Sequence, residues 1–326
     1  MVISRRVLVQ SLATLMVAAP SVRALAQNPW PTRPIRLISP YGPGGANDIS
    51  LRILADQFEK ASGAKFFVEN KPGAGTRIAN AEVAHATPDG YTFLYAAAPY
   101  ATAEALAGKL AYDPRADLKP VAMAVFAPIF LIVNAKAPYK TLDEFIAYGK
   151  SLPHGLTFGS PGAGSQPHLA AELFFQDAGV KGLNVQFRGD APAYTELLAG
   201  RIDATLTAIS AALPHIENGA LRVLACASAE RSAVYPQAPT LRELELRNVV
   251  ATGWYGFMAP AATPPAIIAS MEASVLQAVG NAEIQQKLVA RGLEAHGGTA
   301  AEFARFIEEE TSRWTRIIRE AGIKEE

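Results

Sequence analysis

Cysteine is all but missing: Cys226 is the only one in 326 residues, so no intramolecular disulfide can form even in an oxidising compartment. It lies in the apolar run Leu221-Arg222-Val223-Leu224-Ala225-Cys226-Ala227, where a free thiol behaves as a small buried hydrophobe. That position is also far from where a lipoprotein leader would place a cysteine. Histidine is scarce and scattered. His85, His154, His168, His215 and His296 form no His-Glu-x-x-His and no Cys/His pair at ligand spacing, so no metal and no other cofactor is expected. The pentapeptide Gly-x-Ser-x-Gly is absent, and Ser160 and Ser165 therefore read as hydrogen-bond donors rather than nucleophiles. Basic and acidic side chains balance at 30 each, with no polybasic patch to hold nucleic acid or anionic lipid. Nothing after Ala26 is apolar over the length of a membrane span. A repeat of about 20 to 50 residues, the mark of a solenoid, is missing too.

The N-terminus is a different matter. Arg5-Arg6, an apolar run over 7–19 and Ala24-Leu25-Ala26 match the three regions of a secretory signal, with cleavage expected after Ala26 and export to the periplasm. Ser4-Arg5-Arg6-Val7-Leu8 also resembles a twin-arginine signal, which leaves both export routes open. The remaining chain, about 300 residues, suggests two domains of ordinary size.

Two stretches organise that chain. Residues 35–53 read as a strand Ile35-Arg36-Leu37-Ile38, a loop Tyr41-Gly42-Pro43-Gly44-Gly45-Ala46-Asn47-Asp48, and a helix beginning near Ile49. Glycines let backbone N–H groups approach a ligand, and a helix N-terminus carries roughly half a positive charge, so this geometry favours a small anion. The second version runs from a strand at 156–158 through Gly159-Ser160-Pro161-Gly162-Ala163-Gly164-Ser165-Gln166 into a helix over 167–178 with proline near its first turn. Two such loops, far apart in the chain, point to two α/β lobes facing one ligand. Two near-matches to nucleotide motifs are incomplete. Gly159-xxxx-Gly164-Ser165 lacks the lysine of a phosphate loop, and a further stretch, Gly73-Ala74-Gly75-Thr76-Arg77-Ile78, lacks the third glycine or alanine of a dinucleotide fingerprint.

Strand and helix patterns alternate along the chain, which argues for a mainly parallel sheet covered on both faces. The apolar stretch 121–134, broken only by Pro128, reads as one bent strand crossing between lobes, and Trp254-Tyr255-Gly256-Phe257-Met258 as a strand crossing back. The expected division is 27–127 with 253–326 for lobe 1 and 128–252 for lobe 2. The segment after the returning strand reads as wholly helical and is expected to pack on lobe 1. Within it, Thr299 and Glu302 form a candidate capping box, and Phe303, Ile307, Glu310, Trp314, Ile317 and Ala321 share a face.

The chain resembles the extracytoplasmic solute-binding receptors of tripartite tricarboxylate transporters, the Bug-type family. The resemblance rests on Trp30-Pro31-Thr32-Arg33-Pro34-Ile35, the loop at 40–48, Val68-Glu69-Asn70-Lys71-Pro72-Gly73-Ala74-Gly75, Pro88-Asp89-Gly90-Tyr91, Tyr112-Asp113-Pro114, Gly162-Ala163-Gly164-Ser165 with His168, Leu213-Pro214-His215-Ile216 and Ala321-Gly322-Ile323. It implies a two-lobed periplasmic binding protein of the Venus flytrap, type II-like architecture, without catalysis, expected to act as a monomer. It further implies that the two loops hold a ligand carboxylate by backbone and hydroxyl hydrogen bonds, partly through water. The site residues so marked are Tyr41, Gly42, Gly44, Gly45, Asn47 and Asp48 on the first loop, Ser160, Gly162, Ala163, Gly164, Ser165 and His168 on the second, and Gly189 and Asp190 at the second lobe's mouth.

Three positions depart from the family's pattern. Asn47 stands where threonine is usual, Ala96-Ala97-Ala98-Pro99 replaces a loop that often offers serine or threonine, and Asp190 replaces a small residue. Asp190 either caps the helix expected over 191–199 or selects a ligand with a cationic or hydrogen-bond-donating group distal to its carboxylate. Ligands expected are small organic acids or amino-acid-like carboxylates, and the expected partners are the permease subunits of a tripartite transporter or, alternatively, a sensor kinase. An enzyme using the same cleft, with Asp48, His168 and Asp190 as acid and base, is the competing class.

Overall fold

The computed structural model describes residues 30–324, and the leader expected at 1–26 lies outside them. In chain order the elements are β1 (Ile35–Ser39), α1 (Ala46–Ser62), β2 (Phe66–Asn70), α2 (Arg77–Ala84), β3 (Thr92–Ala97), α3 (Pro99–Ala107), β4 (Leu118–Asn134), α4 (Leu142–Ser151), β5 (Leu156–Ser160), α5 (Gln166–Ala178), β6 (Gly182–Gln186), α6 (Asp190–Leu198), β7 (Ala204–Ala208), α7 (Leu213–Glu217), β8 (Leu221–Cys226), β9 (Thr252–Pro260), α8 (Pro265–Gly280), α9 (Ala282–Val289), β10 (Glu294–Gly298) and α10 (Ala300–Ala321).

The strand β4 is the spine. Its 17 residues are almost all apolar and rich in β-branched side chains, the composition of a strand buried on both faces. It pairs antiparallel with β9 as far as Pro128↔Thr252 and with β7 from Ile129↔Ala208. Proline sits at that handover, where the loss of one N–H costs the ladder least. β10 adds to the first part of β4 and β8 to the second, and the path through the sheet is β2-β1-β3-β9-β4-β7-β5-β6.

The sheet is mixed where the sequence pattern suggests a mainly parallel one. β1 runs parallel to β2 and β3, and β5 to β6 and β7, but every partner of β4 and β9 is antiparallel. The reason is that a strand crossing between lobes and one returning must run in opposite directions.

Each lobe has its own core. In the first, Leu37, Phe58, Phe93, Val125, Phe257 and Met271 pack together. In the second, Leu131, Phe145, Phe158, Phe174, Leu206 and Trp314 do so. Trp314 belongs to α10, so the C-terminal helix does not pack on lobe 1 alone. Its capping box forms as the sequence suggests, with the Thr299 side chain accepting from Glu302 N–H and Glu302 accepting from Thr299 N–H. Phe303 then packs with Trp254 and Met123 in the first lobe, while Trp314 and Ile318 reach the second. At about 1.5 Å per residue, 22 residues span about 33 Å, enough to bridge both. The segment after β9 is not wholly helical either. Glu294-Ala295-His296-Gly297-Gly298 forms β10 because it pairs with Met123, Val125 and Phe126 of β4, a tertiary contact that outweighs the absence of any strand-like alternation.

Candidate ligand site between the lobes

Parallel strands place their carboxyl ends on one edge, and the loops leaving those ends form the crevice where ligands of open α/β sheets bind. Here the loops after β1, β2 and β3 face the loops after β5, β6 and β7. Two cavities lie between them. The inner one, about 20 Å³, is bounded by Tyr41, Ala97, Ala98, Gln166, Asp190, Thr207, Trp254 and Tyr255 among others. The outer one, about 260 Å³, is lined by Gly73, Ala74, Gly75 and Thr76 from the first lobe and Gly162, Ala163, Phe187 and Arg188 from the second.

The lobes touch through backbone. Gly42 N–H donates to the Arg188 carbonyl at 2.9 Å, and a Cβ on Gly42 would lie 2.6 Å from that oxygen. Glycine is required there by close approach. At Gly164, φ is +67° and a Cβ would meet Thr102 Oγ1 at 2.6 Å. The same hydroxyl donates to the Gly164 carbonyl at 2.9 Å, tying α3 to the second loop. Gly189 packs directly against Gly42, and Gly45 against Asp190.

The first loop's polar groups are largely engaged. Gly44 N–H donates to Asp48 Oδ2 at 3.0 Å, Arg52 Nε bonds both Asp48 oxygens at 3.1 Å, and Asn70 Nδ2 reaches Oδ1 at 3.0 Å. Burial works against the Asp48 charge, but these donors outweigh it and hold the carboxyl below its ordinary value. Asn47 is buried, accepting from Ser39 Oγ at 2.7 Å and donating to the Tyr95 carbonyl at 3.4 Å. It braces the loop rather than facing the cleft.

The second loop is similarly knit. Ser165 caps α5 by accepting from His168 N–H at 3.2 Å, and its hydroxyl donates to the Gly162 carbonyl at 2.7 Å. Gly164 N–H donates to His168 Nδ1 at 3.0 Å. Gly73, Gly162 and Ala163, by contrast, have no protein acceptor for their N–H groups among the described residues, and all three line the outer cavity. So does the exposed Arg188, whose guanidinium has no ion pair among the described residues.

Asp190 does not cap its own helix. Its Oδ2 accepts from Ala46 N–H at 3.1 Å, at the first residue of α1 in the opposite lobe, and its Oδ1 from Thr207 Oγ1 at 2.6 Å. Burial pushes this carboxyl up, and the two hydrogen bonds pull it part of the way back. Burial, together with the Asp190 charge, also pushes the phenols of Tyr41, Tyr194 and Tyr255 up.

Residues 50–323 match the family described as "Tripartite tricarboxylate transporter family receptor" (TctC). Protein BugT of Bordetella pertussis is 34% identical over 96% of this chain and 95% of its own length. R. palustris Rpa4515, solved with adipate, superposes with a TM-score of 0.87 at 31% identity, covering 90% of this chain and 99% of that one. MatC (Rpa3494) from Rhodopseudomonas palustris, solved with bound malate, gives 0.83 at 31% identity over 89% and 100%. The chain belongs to the tripartite tricarboxylate transporter receptor family. It is a solute-binding receptor and not an enzyme, and no described helix is long and apolar enough to cross a membrane.

Some receptor residues around the cleft carry no mark in the sequence reading above. Residues 73–76 form part of the wall, with Ala74 at φ +47° and Thr76 at φ +73°, a strained backbone of the kind that gathers at ligand sites. Their signal was available in Pro72-Gly73-Ala74-Gly75, which belongs to the motifs shared with the family. Thr207 and Tyr255 had no local signal, because only the sheet brings their strands to the cleft; Thr102 reaches the second loop from α3, and Gln166 closes the loop already read at 159–166. Ser160 Oγ at the end of β5, and Gln166 Oε1 and Trp254 Nε1 beside the inner cavity, are buried with no hydrogen-bond partner among the described residues.

Proposed function

We propose that this receptor captures a small carboxylate-bearing molecule between its lobes in the periplasm and hands it to the permease of a tripartite tricarboxylate transporter. The observation that carries this reading is the outer cavity. Gly73, Gly162 and Ala163, whose N–H groups have no protein acceptor among the described residues, and Arg188, whose guanidinium has no ion pair among them, line about 260 Å³ shared by both lobes. Backbone donors with a cation at the lip suit one carboxylate. The adipate and malate bound by two structural relatives are acids of this size. We divide the lobes at 127/128 and 252/253, a division supported by the change of partner along β4 between Pro128 and Ile129. Secretion by the leader at 1–26 belongs to the same reading.

A thermal-shift screen of organic acids tests it, since a ligand bound only by the folded protein raises the melting temperature by mass action. At least one small carboxylate should stabilise the protein, and Arg188→Ala should weaken it by roughly tenfold, as expected for a lost charge-assisted hydrogen bond. If no carboxylate shifts the melt, or if Arg188→Ala binds as tightly as the wild type, the site is not where we place it.

A further inference from the structure

In the closed form, the first loop presents its alternate N–H groups to protein acceptors: Gly42 to the Arg188 carbonyl, Gly44 to Asp48 and Ala46 to Asp190. The last is the unusual one. Ala46 opens α1, where the helix dipole favours an anion, and the anion in place is a carboxylate supplied by the other lobe, from a residue 144 positions away. The seat is tight, since a Cβ on Gly45 would lie 3.0 Å from Asp190 Oδ2. Thr207 fixes the second oxygen. Asp190 is 6% exposed, and no lysine, arginine or histidine among the described residues bonds it. The cavity beside it, about 20 Å³, has room for about one water and none for a second carboxylate. Arg188, two residues away, is exposed at the outer cavity and does not neutralise Asp190.

We propose that Asp190 is the receptor's built-in second carboxylate: it fills the anion seat at the start of α1 when the lobes close, so the cleft accepts ligands with one carboxylate and rejects diacids. This rests on the carboxylate-binding reading and adds the ligand class to it. A diacid reaching toward α1 would set two carboxylates side by side in a buried site, where like charges repel strongly. A monoacid held in the outer cavity would extend an uncharged tail or a hydrogen-bond donor toward Asp190. The same contact stabilises closure without ligand, because the lobes exchange a carboxylate and a helix N-terminus directly.

The test has two arms. In the first, titration calorimetry compares two matched pairs, hexanoate with adipate and 2-hydroxybutyrate with malate, on wild type, Asp190→Asn and Asp190→Ser. Wild type should prefer at least one monoacid over its diacid partner by about tenfold or more, and both variants should move that ratio toward the diacid. A wild type that binds the diacids at least as tightly, or an unchanged ratio in both variants, overturns the proposal. Should none of the four acids bind any form, the ligand-class claim falls together with its premise. The second arm needs no ligand. Small-angle scattering of the ligand-free protein should give a larger radius of gyration for Asp190→Ser, whose side chain is too short to reach Ala46, and identical radii would remove the closing role whatever the ligand proves to be.

Discussion

Gly42→Ala separates what closes the receptor from what folds it. The φ of Gly42 is not in the left-handed region, so alanine is permitted by the local backbone. The added methyl, however, would sit 2.6 Å from the Arg188 carbonyl oxygen, closer than any tolerated carbon–oxygen contact, and that oxygen is main chain with no rotamer to relieve the clash. Relief requires the two loops to move apart by several tenths of an ångström, which also strains the 2.9 Å hydrogen bond from Gly42 N–H. Losing that bond costs about 1 kcal/mol, and local overpacking costs typically about 1–3 kcal/mol. Both penalties fall on the closed form only. Together they disfavour closure by about 2–4 kcal/mol, which weakens a ligand that needs it by roughly 30- to 900-fold.

The assay is an equilibrium titration with the tightest acid from the thermal-shift screen, beside the melting curve of the ligand-free protein. Affinity should fall while the ligand-free melting temperature stays close to that of the wild type, since each lobe keeps its own core. Gly280→Ala is the control: a Cβ there meets nothing within 4 Å, and binding should not change. If Gly42→Ala binds as tightly as the wild type, the Gly42–Arg188 contact is not part of the ligand-bound state and the closed geometry described above is not the one that holds ligand.

Three further outcomes are expected. Thr102→Val keeps the side-chain shape but removes the hydroxyl that donates to the Gly164 carbonyl; it should weaken ligand binding by about 1 kcal/mol, read by titration, with little change in urea midpoint. Trp314→Ala removes a fully buried indole whose Nε1 donates to Glu310 at 2.9 Å; it should cost about 3–5 kcal/mol and lower the melting temperature by something on the order of 10 °C. Asp48→Asn tests the first loop's brace. The folded protein holds the Asp48 carboxyl below its usual 3.8, so its contribution is complete above that value and is lost as pH falls through the folded value. The variant should be less stable than wild type by roughly 1.5–3 kcal/mol near pH 7, and the gap should close in acid below pH 3.8.

What the sequence makes legible is whatever is settled over a few neighbouring residues. The run at 121–134 reads as a crossing strand because β-branched residues buried on both faces leave a continuous apolar signature, and it becomes β4. Thr299 and Glu302 read as a capping box because both halves of the box lie in one turn. Where local signals conflict, the reading slips. Ala96-Ala97-Ala98-Pro99 is a loop by the family resemblance, yet proline is welcome at the first turn of a helix, and Pro99 opens α3, the helix that carries Thr102 to the second glycine loop. Gly297 and Gly298 give no alternation, and only the neighbouring edge of β4 makes them a strand.

The glycine loops show the same limit at the site itself. Their composition announces close backbone approach, but it does not say what approaches. Part of the answer is the opposite lobe: Gly42 meets Arg188, Gly75 would carry its Cβ to 2.9 Å from the Ala163 carbonyl, and Gly164 packs on Thr102. Asp190 is the sharpest case. At the start of a helix an aspartate can be read as that helix's cap or as a group facing the ligand, and nothing nearby in the sequence decides between them. The structure turns the carboxylate away from α6 and onto α1, because two helix N-termini are brought face to face only after β4 and β9 have set the lobes opposite each other. A charge placed between two such ends belongs to neither helix. It acts on the distance between the lobes, which is the coordinate that ligand capture also uses, and for that reason a single side chain here links the stability of closure to the charge of what the receptor accepts.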